Sequence, residues 1–293
     1  MKFLFNGLLY IARRWGLHII ALVGISFLLL LVHRKAYESY SNDERFRINL
    51  DVLQVMANPE WLTGTELEPP VKSSLTLNVN TSIFDKSIVS RIRSHYEANP
   101  WVARVDSIEK RYPNEIAVKL EIRKPLVAVE VKRTKNRSYY YLVDEQSVRL
   151  PGEYAKLPEL PVTLPIIVGV NTAPPAAGIR WNDRGLNDAL AVAATMENYQ
   201  LYAKLDIGQI DVSNSGGRRN PKESEITLWT KDKIAIQWGR APNTDKYGEL
   251  SVEEKVKNLN YVLSIAPKLQ GIKYVKIQFH NPCIALNDQP NKK

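Results

Sequence analysis

Residues 99–131 read NPWVARVDSIEKRYPNEIAVKLEIRKPLVAVEV. In the second half of this stretch Ile116, Val118, Leu120 and Ile122 fall at every second position, with Ala117, Lys119, Glu121 and Arg123 between them. That period belongs to a strand with one buried face. Tyr112, Pro113, Asn114 and Glu115 supply the turn before it, Pro presetting φ at the first turn position and Asn tolerating the second. Further upstream Trp101, Val102, Val105 and Ile108 read as another strand, but the step of three from Val105 to Ile108 breaks the period of two. One extra residue there, a β-bulge, returns the apolar side chains to one face. Phe84 to Glu97 reads as a helix capped by Asp85, with Ile88, Val89, Ile92 and Tyr96 along one side and Asn99-Pro100 ending it.

The N-terminus carries the next strongest signal. Leu17 to Val32 holds sixteen residues, twelve of them large aliphatic or Phe, with no formal charge. Leu17, Ile20, Leu22, Ile25, Phe27, Leu29, Leu31 and Val32 are the membrane-facing candidates. At about 1.5 Å per residue the run covers roughly 24 Å of a hydrocarbon core about 30 Å thick. Trp15 and Gly16 extend it, and Trp favours the interface. A cleaved export signal is the rival, because Arg13 and Arg14 precede the run. His33, Arg34, Lys35, Ala36, Tyr37 and Glu38 offer no small-x-small cleavage site, which favours an uncleaved anchor. Flanking charge does not orient it, since Lys2, Arg13 and Arg14 face Arg34, Lys35, Arg45 and Arg47 across the span. Phe3, Leu4, Phe5, Leu8, Leu9 and Ile11 make the preceding tail apolar enough to lie along a membrane surface.

Elsewhere the expected elements are a strand over Phe46 to Met56, a short helix near Pro59 to Leu62 and a loop marked by Gly64 and Pro69-Pro70. Tyr139 to Val143 and Val148 to Leu150 form a hairpin around Asp144, Glu145, Gln146 and Ser147. Asp183 to Lys204 is a helix with Leu186, Leu190, Ala193 and Met196 on one face. Strands follow at Ile207 to Val212, Ile226 to Thr230 and Ile234 to Trp238. A helix then opens on a Ser251/Glu254 capping box, lines Val252, Val256, Leu259, Leu263 and Ala266 along one face, and stops at Pro267. Tyr274 to Phe279 alternates Val275, Ile277 and Phe279 inward, and Cys283 to Leu286 is a short closing strand before a polar tail.

Composition narrows the function. Of 293 residues 44% are hydrophobic, ordinary for a folded protein, and the net charge is +9. From Val71 to Pro158 sixteen Lys plus Arg meet ten Asp plus Glu, a moderate bias. The densest run is Lys132, Arg133, Lys135 and Arg137, which reads as a solvated loop or as a face toward anionic lipid or wall polymer; nucleic acid is not expected. The one Cys, Cys283, excludes an internal disulfide and reads as a buried structural thiol. His18, His33, His95 and His280 show no metal-ligand spacing. Gly216-Gly217 lacks the Gly-Lys-Ser/Thr ending of a phosphate loop, and Ser87, Ser90 and Ser94 lie in no nucleophile elbow. No catalytic residue, cofactor or metal is expected, and an enzyme is not.

The order of elements in residues 99–131 resembles the POTRA domain of the bacterial cell-division family FtsQ/DivIB. The carriers are Pro100, Trp101 and Val102, then Val105 and Ile108, Arg111, Pro113, the run Ile116 to Ile122, and Lys124, Pro125 and Ala128. The segment from Trp101 to Pro113 is one residue longer than the family's pattern, and the family's Gly turn after the first strand is not found. Leu142, Val143 and Asp144, with Ser147 where Gly is common, continue the likeness, as do Leu164, Pro165 and Gly169. The later order of two strands, Trp238-Gly239, Lys246, helix and two closing strands resembles the family's β domain. The resemblance implies an α+β chain: a cytoplasmic tail over 1–16, a transmembrane helix and flank over 17–35, a POTRA domain over 44–132, a β domain of mixed sheet with packed helices over 133–287, and a polar tail over 288–293. It also implies a cytoplasmic N-terminus and an extracytoplasmic bulk at the division septum. Partners would be FtsB/FtsL-like membrane proteins and the septal peptidoglycan synthesis machinery, in addition to membrane lipid. Partner contact would be strand addition at the C-terminal edge, through Pro282, Cys283, Ile284, Ala285 and Leu286, with Tyr274, Lys276 and Gln278 behind them. The other reading is a POTRA-type envelope protein-assembly or translocation factor, which lacks the alternating segments of an outer-membrane barrel.

Overall fold

The computed structural model describes residues 2–48, 53–56, 59–77, 80–134, 137–161, 164–202, 204–242, 244 and 248–286, the side chains of 2–14, 17 and 53–56 excepted. Lys135, Lys246 and the 288–293 tail therefore lie outside the described residues, as do the side chains of Leu17 and of the apolar N-terminal tail. The chain forms two compact units, Met1–Met56 with Thr76–His95 and Val105–Leu120, and Ala57–Leu75 with Tyr96–Arg104 and Glu121–Lys293.

In the first unit α1 (Lys2–Asn42) is one continuous helix, and its His18–Asn42 portion is long and apolar enough to cross a membrane. Ile20, Leu22, Ile25, Phe27, Leu29, Leu31 and Val32 all lie exposed on it. Of the strand expected over Phe46 to Met56, the described residues show Arg47–Ile48 and Leu53–Met56 as strand, and residues 49–52 lie outside the description. β1 (Arg47–Ile48) pairs with β3 (Thr81–Ser82) antiparallel, and β2 (Leu53–Met56) runs parallel to β5 (Glu115–Ile122). With β4 (Val102–Arg111) they give a sheet in the order β2-β5-β4. Ile116, Val118, Leu120 and Ile122 are buried as their alternation demands. In β4 Val102 and Val105 are buried three residues apart while Ile108 is half-buried, so the period breaks earlier than the sequence suggested. The helix expected from Phe84 is shorter: α3 spans Ile88–Glu97, and Asp85 instead makes a turn ahead of it, accepting from Ser87 N at 2.8 Å. Lys110 Nζ donates to the carbonyls of Ile83 and Asp85, at 2.6 and 3.2 Å, fixing that turn.

The loop expected at Pro69-Pro70 is a helix. α2 spans Glu68–Ser74, with the prolines in its first turn, where a missing N–H costs nothing because no partner would exist for it. Residues 60–67, expected to begin with a helix, are turns closed by bonds such as Leu62 N to Pro59 O at 2.9 Å.

Most of the second unit is one eight-stranded sheet. Its members are β6 (Val127–Thr134), β7 (Arg137–Val143), β8 (Ile166–Val168), β9 (Ile207–Asp211), β10 (Ile226–Thr230), β11 (Ala235–Gly239), β12 (Ile272–Lys276) and β13 (Cys283–Leu286), in the spatial order β13-β12-β11-β10-β9-β8-β6-β7. Between strands run α4 (Arg184–Asn198) and α5 (Val252–Ile265). The inner faces of the strands bury Val129, Ile167, Ile210, Leu228, Ile236 and Val275 in one core with Leu186, Ala189, Ala193 and Met196 of α4 and Val256, Leu259 and Val262 of α5. The hairpin after β7 closes as expected, with Leu150 N donating to Leu142 O at 2.8 Å. Ser147 takes the left-handed conformation, φ 64°, at the position where glycine is common. The turn holds because Asp144 Oδ1 accepts from Gln146 N and Val148 N, at 2.9 and 2.8 Å.

α4 ends six residues before the expected Lys204. Leu201 N donates to Met196 O and Gln200 N to Glu197 O, with Gln200 at φ 52°, a Schellman stop built without glycine. At its start Asp183 is buried, which alone would push its carboxyl up, yet bonds from Leu186 N, Asn171 N, Thr172 N and Thr172 Oγ1 together hold it below the usual carboxylate range. The folded state thus favours the ionised form. Its contribution is full above about pH 4, the unfolded value, and is lost as pH falls through the lower folded value. Replacing Asp183→Ala should cost about 2 kcal/mol at neutral pH by uncapping α4 and stranding its donors. The difference between variant and parent in urea midpoint should shrink on acidification, and a pH-independent difference would contradict this account.

Candidate functional site

The expected contact residues meet at one end of the large sheet. β13 pairs antiparallel with β12, Val275 opposite Ile284, Tyr274 opposite Ala285 and Lys276 opposite Cys283, with an irregularity between Ile272 and Tyr274 that lets Ile272 and Val275 both be buried three residues apart. β12 runs parallel to β11 on its other side. β13 is thus a terminal strand, and among the described residues no strand or bridge pairs with its outer side. The opposite end of the sheet differs. There β7 is covered by its own chain, since Tyr140 and Tyr154 exchange backbone bonds at 2.8 and 3.1 Å and Val143 bridges Arg149. One edge is closed by the fold and the other presents a row of backbone donors and acceptors.

The side chains of β13 divide by face. Ile284 is half-buried and packs against the core, so it holds the strand down. Leu286 is 69% exposed although its register partner, Ile272, is buried in the core. Cys283, expected to be buried, is exposed because it lies opposite Lys276, on the face that α4 and α5 leave uncovered. Pro282 and Ala285 are half-buried. Tyr274 and Lys276 are half-buried on that same open face, the Lys276 Nζ lying 5.7 Å from the centre of the Tyr274 ring. Gln278 stands apart from them: it is buried beyond the end of β12, and its carbonyl accepts from Leu250 N at 3.2 Å. Phe279, expected to point inward, is 49% exposed, because β12 stops at Lys276 and the chain bends over 278–281.

Pairing adds residues that the sequence did not single out. The register sets Ala285 opposite Tyr274, Tyr274 opposite Ala235, and Ala235 opposite Trp229. With strands about 4.8 Å apart, this row runs roughly 14 Å inward from the edge. Trp229 is half-buried in it. Its neighbours in that row follow from the register alone. The site therefore offers backbone pairing along β13 and a strip of alanine and aromatic surface beside it, the two elements that strand addition uses for affinity and for specificity. Among the described residues no group of three or more His, Cys, Asp or Glu is placed to hold a metal ion.

No family model matches the chain, and no curated protein matches it.

Proposed function

We propose that this chain is a single-pass membrane scaffold of the bacterial division septum, with a cytoplasmic N-terminus and its two folded units outside the cytoplasmic membrane. It would recruit or regulate septal peptidoglycan synthesis through protein contacts and carry out no chemistry of its own. The resemblance of residues 99–131 and of the later strand order to FtsQ/DivIB supports this reading, with POTRA and β domains as that family has them. The structural observation that carries it is the difference between the two ends of the large sheet, one closed over β7 and one left open at β13. That one helix among the described residues, near the N-terminus, is long and apolar enough to cross a membrane suits a bitopic protein. FtsB/FtsL-like partners would add a strand to Cys283–Leu286 and rest side chains on Tyr274 and Trp229. A fluorescent fusion of the full chain should gather at midcell in dividing cells. An even distribution round the envelope would remove the septal assignment.

A further inference from the structure

α1 does not end at the membrane. No Gly or Pro interrupts it between Ile25 and Asn42, so the helix that would span the bilayer runs unbroken into the first unit. Its last turns carry Tyr37 and Tyr40, which enter a cluster of rings. Phe84 lies 6.4 Å from Tyr37, 6.4 Å from Tyr40, 5.1 Å from Phe46 and 5.7 Å from Tyr112, and Tyr40 lies 5.8 Å from Phe46. Tyr37 also donates from its hydroxyl to Phe84 O at 2.7 Å. Such a cluster ordinarily sits in a core. Here Tyr40 is 53% and Tyr112 65% exposed, so large ring faces are left in contact with solvent.

Helix arithmetic places those rings. About 20 residues at 1.5 Å each cross the hydrocarbon layer, so a span that begins at the interfacial Trp15 leaves it near Arg34 and Lys35. Tyr37 then stands about 3 Å beyond, within a headgroup layer about 5–7 Å deep on each side, and Tyr40 about 8 Å beyond, at the outer boundary of that layer. Phe84 and Tyr112 are tied to the same height by their ring contacts. Amphipathic rings favour this layer, with apolar bodies against acyl chains and hydroxyls toward water. Net charge is not what would hold them there, because Arg34 pairs with Glu38 at 3.1 Å and Arg45 with Asp43 at 2.7 Å.

We propose that Tyr37, Tyr40, Phe46, Phe84 and Tyr112 form an interfacial seat that docks the first unit onto the lipid headgroups of the outer leaflet. The inference rests on α1 spanning the bilayer, and goes beyond it: the folded unit binds lipid itself, with an orientation fixed by a rigid helix, where a simple anchor would let it swing on a tether. Because neutral rings make the contact, binding persists in zwitterionic vesicles and at high salt.

The test uses the full chain, with Cys283→Ser, in phosphatidylcholine vesicles that contain nitroxide-labelled lipid. A fluorophore at Lys86→Cys, beside Phe84, should be quenched by a headgroup nitroxide, and a fluorophore at Ser26→Cys by a nitroxide deep in the acyl chain. Replacing the exposed rings, Tyr40→Ser with Tyr112→Ser, should lower quenching at position 86 by about threefold or more while position 26 is unchanged. Quenching at 26 with none at 86, or quenching at 86 that ignores the ring substitutions, overturns the seat and leaves the anchor standing. No quenching at 26 shows that α1 does not span, and both readings fall.

Discussion

Replacing Lys255→Ala should lower the thermal midpoint of the second unit by roughly 10 °C, at about 3–5 kcal/mol for stranding a buried charge and 2–4 °C per kcal/mol in a unit of this size. Lys255 is 4% exposed on the inner side of α5. Its Nζ pairs with Glu249 at 2.8 Å, donates to Arg240 O at 3.3 Å and lies 5.7 Å from the centre of the Trp238 ring. Without it Glu249 would keep the backbone N–H of Arg240 at 2.8 Å and the Arg240 guanidinium at 4.0 Å, a weak partner that also faces Glu225 at 3.4 Å. The loss comes from a buried carboxylate that keeps only its more distant cation. Removing both charges together while keeping the same truncation, Lys255→Ala with Glu249→Gln, should therefore recover much of the midpoint. Scanning calorimetry of the full chain in detergent measures both. Equal losses in the single and double variants would mean that packing against Trp238, and not charge, holds this corner.

The second large effect is on partner capture. Ala285→Lys with Leu286→Lys should weaken co-purification of the proposed FtsB/FtsL-like partners by at least about tenfold, or 1.4 kcal/mol, because lysines on an edge strand oppose the approach of another strand. Stability should change by no more than about 0.5 kcal/mol, since Leu286 is exposed and Ile284, which holds β13 to the core, is untouched. Ile284→Lys should instead loosen the strand itself and alter both readouts. If the double-lysine chain retains its partners, β13 is not where they bind.

Much of this architecture could be read from local pattern. The alternation of Ile116 to Ile122 needs no knowledge of β2 or β4, and the capping box of Ser251 and Glu254 needs only residues three apart; the structure has both. The misses share a cause. Pro69 and Pro70 read as a loop because Pro breaks helix interiors, and only the position of Glu68 as first helical residue makes them acceptable. Gln200 ends α4 in a conformation usually marked by Gly, so no residue type announced the stop. Phe279 was placed by extending a period of two past the point where β12 bends away, and Cys283 by the usual burial of a lone thiol, which its place opposite Lys276 overrides. At the site, Cys283 to Leu286 were legible as a last strand. That β13 is an open edge, that β7 is not, and that Trp229 lies in line with Tyr274 all depend on pairings between segments up to about forty residues apart, which local pattern cannot carry.

The most direct measurement is amide hydrogen exchange on the full chain in nanodiscs, alone and co-expressed with the small bitopic division proteins of its own cell. Cys283–Leu286 should exchange readily in the free chain and become protected in the complex, while the amides of β7, already covered, should not change. Protection that leaves β13 untouched and appears elsewhere on the chain would contradict strand addition at this edge.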